Sequence, residues 1–373
     1  MSPNRGIQRP PRARRLGRRC VDIPESSRAH ANSALLTRNE AVREAVRLLN
    51  GFRGYQLVAA ACQLNLPDLV AADPKDAAEL AAVTGMHPPS LKRALRGLVA
   101  WGFFTEDAEG RFAATAVSDM FRSDRPGFRN ITLMLSTEGY RTWGELMYVL
   151  RTGQPAFEHI YGKSRWEQLA DDPEDSARFN AAMVELTTRV AQAFVAAYDF
   201  TGVGTVVDVA GGNGALLAQV LQSNADMDGI LFDLPAGLAG AVERIDAAGM
   251  TGRVRLMEGS FFESVPSGAD LYMLKSIIHD WDDAHARKIL ETCRKAMRGE
   301  ARLVLVERLV PEHIADKEDA LPTFMSDLHM MVALGGRERT TSEYSELFDA
   351  AGLRLTREIP MASDFHAIEA VRA

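Results

Sequence analysis

The stretch Thr205–Gln222, reading TVVDVAGGNGALLAQVLQ, restricts the fold of this chain more than any other. Val206, Val207 and Val209 form a short β-branched run of the kind buried on both faces of a sheet, and Asp208 interrupts it near its end. The turn Ala210-Gly211-Gly212-Asn213-Gly214 follows, and then Ala215-Leu216-Leu217-Ala218, a good helix former. Strand, glycine turn and helix in this order make the first half of a nucleotide-binding βαβ unit. The glycines allow positive φ and close approach of a ligand to the backbone. The helix start behind them offers free N–H groups and a positive dipole end to an anion.

The spacing departs from the dinucleotide fingerprint. G-x-G-x-x-G counted from Gly212 requires a glycine where Leu217 stands. A nicotinamide-dependent enzyme is therefore disfavoured, and the turn suits a ligand with no pyrophosphate. S-adenosylmethionine fits, with its carboxylate at the helix N-terminus. A carboxylate about twenty residues on, at the end of the next strand, would hold its ribose hydroxyls. Asp233, in Phe232-Asp233-Leu234-Pro235, stands at that place.

Strands are expected at Thr205–Val209, Gly229–Phe232, Val254–Met257, Leu271–Leu274 and Leu303–Val306, each but the last followed by a helical stretch. That alternation predicts a parallel, doubly wound α/β sheet of Rossmann type, completed by strands near Leu353–Ile359 and Phe365–Val371. Thr340-x-x-Glu343 is a capping box opening a helix over Thr341–Ala351. Ligands of such sheets bind beyond the carboxyl ends of the strands, where Asp208, Asp233, Ser260, Lys275, His279 and Glu307 recur.

Five motifs in order, VDVAGGNG, FDLP, LKSIIHDWDD, LVLVERLVPE and GGRERTTSEY, resemble the S-adenosylmethionine-dependent O-methyltransferases of the plant caffeate and acetylserotonin type. Bacterial relatives of that family work in natural-product biosynthesis. The resemblance spans roughly residues 40–373 and implies methyl transfer from S-adenosylmethionine to a hydroxyl of an aromatic or polyketide-type small molecule. It implies His279 as general base, flanked by Glu307 and Glu338. Cofactor contacts would come from Asp208, Ala210, Gly211, Gly212, Gly214, Asp233, Leu234, Ser260, Phe261 and Lys275. Phe179, Asn180 and Met183 in FNAAM, together with Trp143, would wall the acceptor. Asp280 either orients the base or acceptor, or caps a helix Asp282–Met297. Some relatives use this scaffold for decarboxylation or hydroxylation, generally without the histidine; its presence favours methylation.

Two departures stand out. Ala210 replaces the glycine that usually opens the turn, a change expected to be harmless if φ stays negative. Ser260 replaces an acid that commonly holds the adenine amino group. A neutral acceptor makes a bond roughly half as strong, so weaker cofactor binding is expected.

Four regions follow: a basic tail over 1–34, expected to be disordered; a winged-helix dimerisation domain over 35–125; a helical linker region over 126–200 lining the acceptor site; and the catalytic domain over 201–373. The winged helix-turn-helix raises the alternative of a transcriptional regulator. Its second helix, Ser90–Val99, carries only Lys92, Arg93 and Arg96, too little for phosphate binding. A net charge of −7 likewise gives no reason to expect nucleic acid or an anionic membrane as partner, and the resemblance implies a homodimer. Cys20, Cys62 and Cys293 make no zinc spacing or disulfide framework, which suits the cytoplasm. No clustering of carboxylates and histidines at metal-ligand spacing is apparent, so no metal is expected.

Overall fold

The computed structural model describes residues 37–314 and 316–373; the basic tail and Cys20 lie outside the described residues. Two compact units divide the chain, Met1–Phe52 and Arg53–Ala373. The described part of the first is the opening of helix α1 (Arg38–Gln63), where Val42, Val46 and Leu49 recur at helical spacing and are exposed.

In the second unit, α2 (Leu66–Leu69) precedes β1 (Lys75–Asp76), α3 (Ala77–Thr84), α4 (Pro88–Ala100), β2 (Phe104–Glu106), β3 (Arg111–Ala114) and α5 (Ala116–Asp119). Asp76 opens α3 with a capping box, accepting from the N–H groups of Ala78 and Glu79 while Glu79 accepts from Asp76 N–H. Leu91, Leu95 and Leu98 give α4 its buried face, packed on Leu80, Phe103, Phe104 and Phe112. The expected helix-turn-helix and wing are present, with β1 as third strand of a β1-β3-β2 sheet. Arg96 of α4 is committed to Glu106 at 2.9 Å.

Residues 129–197 are largely helical: α6 (Arg129–Met134), a π-helical turn at Leu135–Gly139, α7 (Tyr140–Gly144), α8 (Leu146–Thr152), α9 (Ala156–Tyr161), α10 (Arg165–Asp171) and α11 (Pro173–Ala197). Asp172 caps α11 and Pro173 occupies its first position, as the sequence favours. Val190, Ala191 and Phe194 of α11 belong to the core on one face of the large sheet, so this helix is a layer packed on that sheet.

That sheet is built from β4 (Thr205–Val209), α12 (Ala215–Ser223), β5 (Asp228–Asp233), α13 (Ala241–Ala247), β6 (Val254–Glu258), β7 (Leu271–Lys275), a 3₁₀ turn at Ile278–Asp280, α14 (Asp283–Ala296), β8 (Arg302–Arg308), α15 (Lys317–Ala333), α16 (Thr341–Ala350), β9 (Leu353–Pro360) and β10 (Phe365–Arg372). Its order is β6-β5-β4-β7-β8-β10-β9. The strand order reverses direction between β4 and β7, which is where a crevice for a ligand opens. Val206, Leu231 and Met273 face α11 and α12; Val207, Phe232 and Leu274 face α14 and α16.

Two expectations need correction. The sheet is mixed rather than all parallel, because β10 runs antiparallel to both β8 and β9. Only Met361–Asp364 separates β9 from β10, too short for a crossover and ample for a hairpin. No helix follows β6 before β7. Pro266 disfavours helical backbone at Val265, and Gly268 at φ 93° turns the chain out of it.

Candidate active site

The glycine turn closes β4 tightly. Ala210 N–H donates to Phe232 O at 2.7 Å, and Gly212 and Gly214 adopt φ of 58° and 82°. Ala210 itself sits at φ 56°, so the condition of a negative φ is not met. A left-handed alanine costs roughly 1–2 kcal/mol, which the usual glycine avoids. Gly211 is required for another reason: a Cβ there would lie 2.5 Å from Asp208 Cγ.

Asp208 is buried and its Oδ2 has no hydrogen-bond partner. Burial pushes its carboxyl up to about 7; Asp233 adds to the rise and Lys275 opposes it. Lys275, at the end of β7, is pulled down to about 8, chiefly by burial. Asp233 accepts from Gly212 N–H at 2.7 Å and from Leu234 N–H at 2.6 Å, and burial raises its carboxyl. A carboxylate can accept about four hydrogen bonds, so two positions remain for a diol. The Leu234 side chain is exposed. Ser260, just past β6, accepts from Phe262 N–H at 3.3 Å, and Phe261 stands edge-on to Phe262 and Trp281. A buried acid with one oxygen unpartnered, glycines held close to it and a half-satisfied carboxylate at the strand ends suit a cationic ligand bearing a ribose.

His279 lies in the 3₁₀ turn beyond β7 and is 6 % exposed. Its Nδ1 is 2.9 Å from Glu338 Oε1 and 3.5 Å from Glu307 Oε2; its Nε2 is 3.4 Å from Asp280 Oδ1. Burial pulls the imidazole down, but Glu338, Glu307 and Asp280 together outweigh it and hold the ring up at about 10. Glu307 accepts from Ile277 and Ile278 N–H at 3.0 and 2.9 Å; its burial still raises it. Burial also pushes Glu338 upward, but His279 and Ser326 bring it below its ordinary value. Asp280 is driven up to about 7 by burial, against the pull of His279. Asp282, not Asp280, caps α14, donating no proton but accepting from His285 N–H at 2.8 Å.

The loop Gly335–Thr340 clasps this turn. Arg337 N–H donates to His279 O at 2.8 Å, and a Cβ on Gly336 would lie 2.1 Å from that oxygen. The fully buried Arg339 donates to Ile278 O at 3.1 Å, to Trp281 O at 2.9 Å and to Asp283 Oδ1 at 2.8 Å. His279, Glu307 and Glu338 therefore converge with ligand atoms all within 4.8 Å of one another. This corrects the expectation that no such cluster forms. The facing atoms are joined by hydrogen bonds, His279 and Ser326 both to Glu338 Oε1, which is the bonding of an acid–base cluster; a cation there would have to displace them.

The residues expected to wall the acceptor divide. Phe179 meets Trp166 edge-on, and Trp166 stacks near Trp281, two residues past His279. Asn180 donates to Ala236 O at 3.2 Å and lines a cleft of about 550 Å³ with Asn213 of the glycine turn, Gly240 and Arg244. Met183 is half-buried on α11. Trp143 donates its indole N–H to His329 Nδ1 at 3.2 Å. Sequence reasoning missed α15 and with it Ser326, Asp327 and His329; Asp316 followed by Glu318 and Asp319 was the available helix-start signal. It also missed Arg339, whose signal is only its adjacency to Glu338.

A family model described as an O-methyltransferase domain matches residues 143–354, and one described as an O-methyltransferase dimerisation domain matches residues 46–124. A phenazine O-methyltransferase of Lysobacter antibioticus is 39 % identical over 326 residues, covering 87 % of this chain and 94 % of that protein. O-demethylpuromycin-O-methyltransferase of Streptomyces alboniger is 38 % identical over 328 residues, 87 % of each chain. An O-methyltransferase from neocarzinostatin biosynthesis, solved with S-adenosylmethionine and 2-hydroxy-5-methyl naphthoic acid, superposes with a TM-score of 0.75 at 35 % identity, covering 86 % of this chain and 96 % of that one.

Proposed function

Because the chain belongs to the S-adenosylmethionine-dependent O-methyltransferases, we propose that His279 is the base through which it methylates a hydroxyl on an aromatic or polyketide-type small molecule. The observation that carries this is the His279–Glu338 hydrogen bond of 2.9 Å inside a ring of three carboxylates. Bound S-adenosylmethionine supplies an electrophilic methyl group. Gly211, Gly212, Gly214 and Asp233 would hold it, with Asp208, Lys275, Ser260 and Phe261 at the same strand ends.

The rest is done by the protein. Glu338 ties Nδ1, which orients the ring and leaves Nε2 to receive the hydroxyl proton. An unperturbed phenol titrates near ~10. A ring held at about 10 matches it, so proton transfer during attack is nearly balanced. Glu307 and Asp280 add negative charge around the imidazolium that results. The aromatic walls fix the acceptor for in-line displacement, where most of the acceleration arises. We place the working form as a homodimer assembled through the N-terminal domain, supported by the dimerisation-domain match and the exposed Val42, Val46 and Leu49.

Calorimetric titration with S-adenosylhomocysteine, with NADH as control, tests the cofactor; saturable binding to the first alone, lost in Asp233→Ala, is expected. His279→Ala should keep that binding and lose about 10²–10⁴-fold in methyl transfer, read by mass spectrometry on phenolic acceptors. Unchanged turnover would remove His279 from the mechanism.

A further inference from the structure

Ser326 and His329 stand three residues apart on α15 and so share a face. Ser326 Oγ donates to Glu338 Oε1 at 2.7 Å, the same oxygen that His279 Nδ1 meets. The face of α15 that carries His329 is thereby turned toward the base. His329 also meets Trp143, whose indole N–H lies 3.2 Å from Nδ1. An indole nitrogen can only donate. Nδ1 is therefore the lone-pair nitrogen, and the single proton of the ring sits on Nε2. Among the described residues Nε2 has no hydrogen-bond partner, and it is not among the polar atoms sealed from solvent. Burial, and then the charge of His279, pull this imidazole down to about 4, so the ring stays neutral at working pH. Two histidines thus face one site with opposite duties: one collects a proton, the other presents one it does not release.

We propose that His329 is a specificity-determining residue whose Nε2–H recognises a neutral hydrogen-bond acceptor, a carbonyl oxygen or ring nitrogen, carried by the aromatic substrate beside the hydroxyl to be methylated. The assignment rests on the methyl-transfer reading above and narrows its substrate class. A neutral partner is favoured over a carboxylate because Glu307, Glu338 and Asp280 already crowd the site with negative charge. The pairing also has a chemical use. A hydroxyl next to a carbonyl or ring nitrogen is held in an internal hydrogen bond. A fixed donor on that neighbouring atom competes with the internal bond and frees the hydroxyl proton for His279.

The test compares 1-hydroxyphenazine with 1-hydroxyanthracene, rings of the same outline in which nitrogen replaces CH, titrated into protein saturated with S-adenosylhomocysteine. Wild type is expected to bind the phenazine at least about 10-fold tighter, since the bound hydrocarbon covers the donor without meeting it. His329→Phe should shrink the preference to within about twofold, while His329→Gln, which keeps an N–H donor, should retain most of it. Thermal melts of both variants confirm folding. Equal affinities in wild type, the same preference in His329→Phe, or binding of neither probe by the loaded protein would overturn the assignment. Failure of S-adenosylhomocysteine itself to bind would instead bring down the methyl-transfer reading, and this proposal with it.

Discussion

His279 shows how much of a residue's chemistry lies outside its own sequence motif. Its candidacy was legible from LKSIIHDWDD, and those of Glu307 and Glu338 from the strand end and loop that match the family. What the motif does not show is the ring's proton affinity, set by side chains 28 and 59 residues away at 3.5 and 2.9 Å. With the imidazole near 10, the neutral form able to take a proton is scarce at pH 7 and grows about tenfold per pH unit. The profile of kcat/KM should therefore rise from neutral pH into the alkaline range. Glu338→Gln removes one of the charges that raise the ring, so its rising limb should move to lower pH while the maximum rate falls. An unmoved limb would separate the observed ionisation from His279. Ala210 teaches the reverse lesson: the residue was noticed, but its φ of 56° was not. Ala210→Gly should raise stability by up to about 1 kcal/mol in denaturant melts, the relief of a left-handed Cβ less the entropy of glycine. His329 was invisible for a simpler reason: its partner Trp143 is 186 residues away.

Among the elements, the loop Gly335–Thr340 governs the site most directly. It approaches His279 and Asp280 so closely that only glycine fits at 336, and Arg339 fastens the carbonyls on either side of His279 to the start of α14. Gly336→Ala should destabilise the protein by about 1–3 kcal/mol, and by more if the turn cannot shift, with activity falling further than the melting temperature alone predicts. The strands were legible because Val, Leu and Ile runs between turns declare buried β structure. The missing helix after β6 was marked by Pro266 and Gly268, whereas α15, with Pro322 inside it, gave a weak helical signal. The antiparallel arrangement of β10 lay in the shortness of the Met361–Asp364 link rather than in strand composition.

At the scale of the whole molecule, the winged pattern and the strand–helix alternation made the two sheets legible, whereas α11, read as part of a linker region, packs as a layer on the large sheet. The exposed stripe Val42, Val46 and Leu49 gives the homodimer a direct test. The double variant Val46→Glu, Leu49→Glu should elute as a monomer in size-exclusion chromatography with light scattering; an unchanged dimer would place the interface elsewhere.

The position of β10 between β8 and β9 also bears on how the protein is made. β8, which ends next to Glu307, is synthesised well before the strand that covers its edge. Until Phe365–Arg372 has left the ribosome, Leu303 and Leu305 stand beside an open row of peptide groups. Such an edge invites pairing between neighbouring nascent chains. Slower growth at low temperature should therefore improve soluble yield, and a truncation before Phe365 should accumulate as aggregate rather than as a weakened enzyme.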